Sequence, residues 1–179
     1  MSESITSLDD ATLEFAERVF DAARQGQAQQ LALWLDNGLP ATLRNAKGDS
    51  LLMLASYYGH MDAAKVLLQH GADAQMTNAR GQTPLAGAAF KGDVEMTRLL
   101  LDHGAQVDGP SPDGRTPLMF AAMFNRIDIV QLLLERGARI DQADHQGTTA
   151  LACAMAMNAS DAVAFLEQRM DDGAASPTV

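Results

Sequence analysis

The chain has 179 residues, a formal net charge of −10 and one cysteine, Cys153. This length suits a single domain, the excess of acid opposes binding to nucleic-acid phosphates or anionic lipid, and one cysteine cannot form a disulfide within the chain. The start of the chain lacks the basic and apolar segments of a signal peptide, and no apolar run approaches the roughly 20 residues that span a bilayer. These features together predict a cytoplasmic protein.

The chain opens with a predicted lead-in, residues 1–14, in which a helix is expected to begin near Asp9 or Asp10 because aspartate is a good N-cap. Residues 15–47 are predicted to form an N-terminal capping repeat. Their apolar and small residues follow the phase of the later copies, but they lack an opening turn signal. The in-phase residues are Ala22, Ala23, Gly26, Leu33, Trp34, Leu35 and Gly38.

Three full copies of a 33-residue repeat follow, at residues 48–80, 81–113 and 114–146. Thr83-Pro84 and Thr116-Pro117 predict the start of a first helix, because the hydroxyl accepts from free amides and proline lacks a donor there. Each copy then has a turn, a second helix with an apolar triplet, and a glycine that ends it. The triplets are Val66-Leu67-Leu68, Leu99-Leu100-Leu101 and Leu132-Leu133-Leu134, and the closing glycines are Gly71, Gly104 and Gly137.

The last copy, residues 147–170, departs from this pattern and is predicted to be a C-terminal capping repeat. Ala150 replaces the proline, Asn158 and Met170 replace glycines, and Met155 stands in a small-residue position. Residues 171–179 are small and polar, which predicts a disordered tail.

Residues 15 to 170 resemble the ankyrin repeat in their GxTPLxxAAxxG segments, their apolar triplets and the GA pair that follows. The resemblance implies an all-α solenoid of paired antiparallel helices with hairpin fingers, about five repeats including two caps. It also implies a concave surface built from the fingers and the first helices. The histidine that usually follows Thr-Pro-Leu is absent, so cohesion between repeats is expected to depend more on apolar packing.

The positions before the turn between helices, which lie on the concave surface in ankyrin proteins, are mostly aromatic or Met in this chain. We therefore predict an apolar partner-binding stripe, and the alternative is that some of these side chains pack against neighbouring helices. Variable finger positions are predicted to form its polar rim. The predicted binding residues are Tyr57, Tyr58, Phe90, Lys91, Met123, Phe124 and Met157 in the stripe, with Arg80, Gln82, Asp113 and Arg115 in the fingers.

The leading interpretation is a non-catalytic adaptor, regulator or inhibitor that binds another protein, as a monomer and without a cofactor. An immunity or antitoxin-type inhibitor is one alternative, and a carrier of an apolar ligand such as haem is another. No catalytic motif is present, and Gly109 to Gly114 does not have the glycine spacing of a nucleophile elbow. His70 and His103 occupy the same position in adjacent copies, too far apart to share zinc, so no metal site is predicted. Cys153 is expected to be a buried packing residue.

Overall fold

The computed structural model describes residues 3–174, and the side chains from Asp10 to Asp172. This part of the chain contains ten α-helices in five consecutive pairs and no strand. The pairs are α1 (Glu3–Gln25) with α2 (Ala28–Asp36), α3 (Leu51–Tyr57) with α4 (Met61–Gln69), α5 (Pro84–Lys91) with α6 (Val94–Asp102), α7 (Pro117–Met123) with α8 (Ile127–Glu135), and α9 (Ala150–Ala156) with α10 (Ser160–Ala174). The fold is the predicted all-α repeat solenoid. Among the described residues, no helix is both long and apolar enough to cross a membrane.

The first helices of the later pairs begin where the sequence predicts. The hydroxyls of Thr83 and Thr116 accept hydrogen bonds from the amides of the third helical residues, at 3.1 and 3.4 Å. Pro84 and Pro117 occupy the first helical positions, where a missing N–H leaves no partner unsatisfied. Ser50 and Thr149 cap α3 and α9 in the same way, so four helices share one start signal.

The turn between the two helices of a pair requires a left-handed residue. Gly59 and Gly92 supply it with φ of 76° and 80°. Asn125 and Asn158 occupy the same position in the last two pairs, with φ of 54° and 56°. Asparagine tolerates this conformation better than other side chains, so the turn persists without glycine.

Both helices of a pair contribute to the core, and the second helices supply one fully buried leucine at the same position of each later copy. The middle residue of each predicted apolar triplet is fully buried: Leu67, Leu100 and Leu133. Leu166 is buried in the same position of the last copy. Burying a leucine contributes roughly 1.5–3 kcal/mol relative to leaving it in water, so each of these leucines is a main source of stability in its own unit.

The chain divides into two compact units, residues 1–73 and 74–179. In the first unit, His60 Nε2 lies 2.7 Å from the carbonyl oxygen of Arg24, and His70 Nε2 lies 3.0 Å from an Asp36 carboxylate oxygen. In the second unit, Arg136 donates to Asp102 at 2.7 Å and Asn125 donates to Asp161 at 2.9 Å. Consecutive repeats within each unit are therefore joined by polar contacts as well as by apolar packing.

Two predictions about the ends were wrong. Helix α1 begins at Glu3 rather than near Asp9 or Asp10, because no glycine or proline interrupts the chain between Glu3 and Gln25. Helix α10 continues to Ala174, so the tail does not become irregular at Asp171. Met170 stands where glycine ends the earlier second helices, and a methionine gives the helix no reason to stop. Residues 175–179 lie outside the described residues.

Candidate functional site

Two phenylalanines from consecutive repeats meet at the ends of first helices in the second unit. The ring centroids of Phe90 and Phe124 are 4.6 Å apart with planes at 75°, an edge-to-face arrangement. Phe90 is 38% exposed and Phe124 is half-buried. The sequence left two alternatives for these side chains, contact with a partner or packing against a neighbouring helix, and the pair fits both. The two rings pack on each other, and Phe90 also remains partly exposed to solvent.

The neighbouring predicted residues of this unit are also accessible. Lys91 is exposed, Met123 is half-buried, and Met157 is 50% exposed at the end of the following first helix. We call Phe90, Lys91, Met123, Phe124 and Met157 the first-helix patch. It offers aromatic and thioether surface with a cation at one side, which suits contact with an apolar protein surface.

The first unit carries a separate aromatic cluster. Tyr57 and Tyr58 are 41% and 54% exposed, with ring centroids 5.5 Å apart in an edge-to-face arrangement. Tyr58 also lies over the His60 ring at 6.5 Å. His60 is itself held by its contact with the Arg24 carbonyl oxygen, so this cluster has a fixed support.

The fingers are shaped by one side chain at the start of each turn. Asn78 Oδ1 accepts from the backbone amides of Arg80 and Gln82, both at 3.0 Å. Asn45 and Asp144 accept from the equivalent amides at 2.9 Å. This local bonding leaves the predicted rim residues Arg80 and Gln82 exposed. The Gln82 side-chain oxygen also accepts a hydrogen bond from Nδ2 of Asn78.

The finger of residues 111–115 is built differently, and it engages two predicted rim residues internally. Its first residue is Ser111, whose hydroxyl donates to Asp113 at 2.5 Å. That bond is the main cause of the lowered pKa of Asp113, followed by its bond from the Arg115 amide and the charge of Arg115. Arg115 Nε lies 3.4 Å from Asp113 and 3.8 Å from Asp144. Asp113 and Arg115 therefore stabilise the finger, whereas the sequence analysis predicted them only as residues of the polar rim.

The side chain of Asp144, in the following finger, is buried. Its pKa is lowered chiefly by the hydrogen bond from the Thr148 amide, with smaller effects from the Gln146 amide and the Arg115 charge. The carboxylate is therefore held ionised as a structural group of its finger. Backbone bonding also joins the two fingers, since the His145 amide donates to the Asp113 carbonyl at 3.0 Å.

Further apolar side chains are exposed that the sequence analysis did not include among the predicted binding residues. They are Leu13, Phe15, Leu33, Met155 and Met170. Met155 and Met170 were visible in the sequence as departures from the repeat, where they replace a small residue and a glycine. Leu33 lies in the apolar stretch of the capping repeat.

Cys153 is buried, and desolvation raises the pKa of its thiol, as expected for a packing residue. The described residues contain no group of three or more metal-ligating side chains. A depression of about 250 Å³ in the first unit is lined mainly by polar groups, unlike the apolar pocket that haem requires. Its lining is Arg18, Asp21, Ala22, Gln27, Gln30 and Trp34.

Two comparisons with known proteins identify the repeat. A family model described as ankyrin repeats (3 copies) matches residues 19–111 and 105–174. A curated ankyrin repeat protein of Pseudomonas aeruginosa is 58% identical over 59 residues, which cover 33% of this chain and 34% of that protein. This likeness therefore spans only about a third of the relative's length.

Proposed function

This chain belongs to the ankyrin repeat family, whose members are generally protein-interaction modules, and we propose that it is a non-catalytic protein that binds a partner through the first-helix patch. The fingers around residues 80 and 113 are proposed as the rim of that site. The partner is proposed to be a folded protein in the cytoplasm. Adaptors, regulators and inhibitors all bind their partners through such a surface.

The observation that carries the proposal is the Phe90–Phe124 pair. A phenylalanine that is 38% exposed at a helix end costs solubility, and an edge-to-face partner from the next repeat fixes its orientation. Fixed aromatic side chains lose little conformational entropy on binding, which is why they recur at the energetic centres of interfaces.

The distribution of charge supports the same site. Helices α3, α5, α7 and α9 contain no Asp or Glu, although the chain carries 23 acidic residues. Lys91 is the only charged residue in these four helices. Outside α1 the acid is on the second helices, fingers and loops, which leaves these four first helices free of the carboxylates that resist desolvation.

The test is capture from lysate of the source cells with three purified baits. The baits are the unchanged protein, a double variant with Phe90→Ser and Phe124→Ser, and a control with Leu33→Ser. Leu33 is 55% exposed, so the control removes a comparable apolar side chain from the first unit. Thermal melts establish that each bait is folded, and quantitative mass spectrometry compares the retained proteins.

A protein that the unchanged bait and the control retain, and the double variant loses, supports the proposal. Calorimetry with that purified protein should then show at least a tenfold weaker Kd for the double variant, as loss of a central aromatic pair predicts. Retention of the same protein by all three baits contradicts the placement of the site. Retention of no specific protein by any bait contradicts the binding function itself.

The tyrosine pair of the first unit is tested separately with a Tyr58→Ser bait. Tyr58 is more than half exposed, so this change is expected to leave the fold intact. Loss of the same captured protein would extend the proposed site to the first unit. Unchanged capture would restrict the site to the first-helix patch.

A further inference from the structure

The last repeat leaves exposed two first-helix positions that the two preceding repeats bury. Ala89 and Ala122 are completely buried, whereas Met155 at the same position is 51% exposed. Ala86 and Met119 are buried too, and their counterpart Ala152 is exposed. All these residues belong to the second unit. Since each copy has the same two helices, the difference shows that the following repeat covers these positions.

The second helix shows the same change. Val130 is completely buried, and its counterpart Val163 is half-buried. Glu167 is exposed where Leu101 and Leu134 are only partly accessible, so a carboxylate replaces a leucine on this side. Helical spacing places Met170 and Asp171 on the same side as Val163 and Glu167. We call this surface the terminal face, and its residues are Ala152, Met155, Val163, Glu167, Met170 and Asp171.

The composition of the terminal face indicates what fits it. Met155 and Met170, 51% and 42% exposed, provide flexible apolar surface that adapts to different side chains. Glu167 and Asp171 add exposed carboxylates beside them. The basic residue nearest in sequence to Glu167 and Asp171 is Arg169. Its Cζ atom lies 5.1 Å from the centroid of the Phe165 ring, away from the terminal face. Methionine surface bordered by carboxylates matches a helix that carries apolar residues on one side and lysine or arginine beside them.

From this arrangement we propose that the terminal face binds a basic amphipathic helix of a partner protein. The occupant is helical, because helices of the next repeat cover the same positions in the two preceding copies. It is basic, because the carboxylate of Glu167 stands where those copies carry leucine, and Asp171 adds a second exposed carboxylate on the same side of the helix. This site uses none of the residues of the first-helix patch, so it would be a second docking surface on the same unit.

A second copy of this chain is a poorer match. Two terminal faces in contact would place Glu167 and Asp171 opposite their own counterparts, and like charges repel. The first repeat of a second copy is also a poor match for the terminal face. The exposed Arg18 stands there at the position where later copies bury Pro84 and Pro117. The exposed Asp21 likewise replaces Phe120, which is partly buried.

The test uses a synthetic peptide of about 18 residues, because shorter helices are marginal in water. The peptide has leucine and alanine on one side and lysines beside them, and a control peptide has glutamate in place of every lysine. Binding to the full chain is followed by fluorescence anisotropy, and backbone NMR shifts locate the contact. The variants are Met155→Ser and Glu167→Lys, with Glu135→Lys as a control for the same charge change at another exposed position.

The expected result is binding of the lysine peptide alone, with shift changes in α9 and α10. Glu167→Lys and Met155→Ser should each weaken binding, the former about tenfold, while Glu135→Lys changes it less than about twofold. Equal weakening by Glu135→Lys and Glu167→Lys would show a general charge effect and would overturn the proposal. Absence of binding, or concentration-dependent dimerisation lost in Met155→Ser, would overturn it as well.

Discussion

The side chain of Asn125 donates to the Asp161 carboxylate at 2.9 Å, from one repeat to the first turn of the next repeat's second helix. The Oδ1 atom of the same side chain accepts from the Ala162 amide at 2.8 Å. Asn125 therefore does two things. It takes the left-handed conformation that its own turn needs, and it satisfies a free amide at the start of α10.

These two roles can be separated by mutation. We expect Asn125→Gly to lower the free energy of unfolding by about 1 kcal/mol, because glycine keeps the turn but removes the cap. Asn125→Ala should cost about 1–2 kcal/mol more, because alanine disfavours a positive φ. Urea unfolding followed by circular dichroism measures both. Asn158→Gly is the control, since φ is 56° there and the described residues include no helix after α10 that its side chain could cap. If it costs as much as Asn125→Gly, the cap is not the cause.

Gly26 illustrates a second contact between repeats. A Cβ at Gly26 would lie 2.5 Å from His60 Cγ, and φ is 70°. Gly38 has a φ of 93° and open space around it. We expect Gly38→Ala to cost about 1–2 kcal/mol from backbone strain alone. Gly26→Ala should cost clearly more, because His60 must also move and lose its contact with the Arg24 carbonyl. Equal costs in thermal and urea unfolding would show that His60 adjusts freely.

His70 makes the stability of the first unit depend on pH. Its pKa is raised above 6.5, first by the hydrogen bond to Asp36 and then by the bond to the Val66 carbonyl. The folded state therefore binds the proton more tightly than the unfolded state. The resulting stabilisation is fully present below the unfolded pKa of about 6.5 and is lost as the pH rises through the folded pKa.

An NMR titration of the His70 ring checks this directly. We expect a midpoint above 6.5 in the unchanged protein and a lower midpoint in Asp36→Asn. Asp62→Asn removes an exposed carboxylate from the first turn of α4, the helix whose C-cap is His70, and serves as the control. A midpoint that Asp36→Asn leaves unchanged would contradict the role of this pair.

Cys153 should react slowly with thiol reagents in the folded protein. The thiol is buried, and its raised pKa reduces the thiolate that such reagents require. At pH 8 we expect labelling at least about tenfold slower than in the urea-unfolded chain. Asn125→Ala should speed the reaction if labelling proceeds through opening of the last repeats. Fast labelling of the folded protein would mean that this helix opens readily.

Features that depend on neighbouring residues were predictable from the sequence. The Thr83 and Thr116 caps, the buried Leu100 row and the turn at Gly92 each need only a few adjacent positions and the repeat phase. Features that join residues about 33 apart were not. The packing of Phe90 on Phe124 depends on the spacing of two repeats, which side-chain type alone does not give.

The candidate site shows the same division. Exposure of Tyr58, Phe90 and Met157 follows from their place at the ends of first helices, and the structure agrees. The internal use of Asp113 and Arg115 follows from one substitution, Ser111, in the finger that contains them. A serine hydroxyl donates to Asp113 where Asn45 and Asn78 accept from amides, and this difference changes the task of the carboxylate.

The bonding of the fingers bears on how this protein could acquire new partners. At positions 47, 80 and 146 the turn uses only the backbone amide, so mutations that replace these side chains leave the finger's shape in place. Asp113 cannot be replaced in this way, because its carboxylate accepts hydrogen bonds that form the turn. Mutational drift, or a randomised library, should therefore diversify three fingers and spare the fourth.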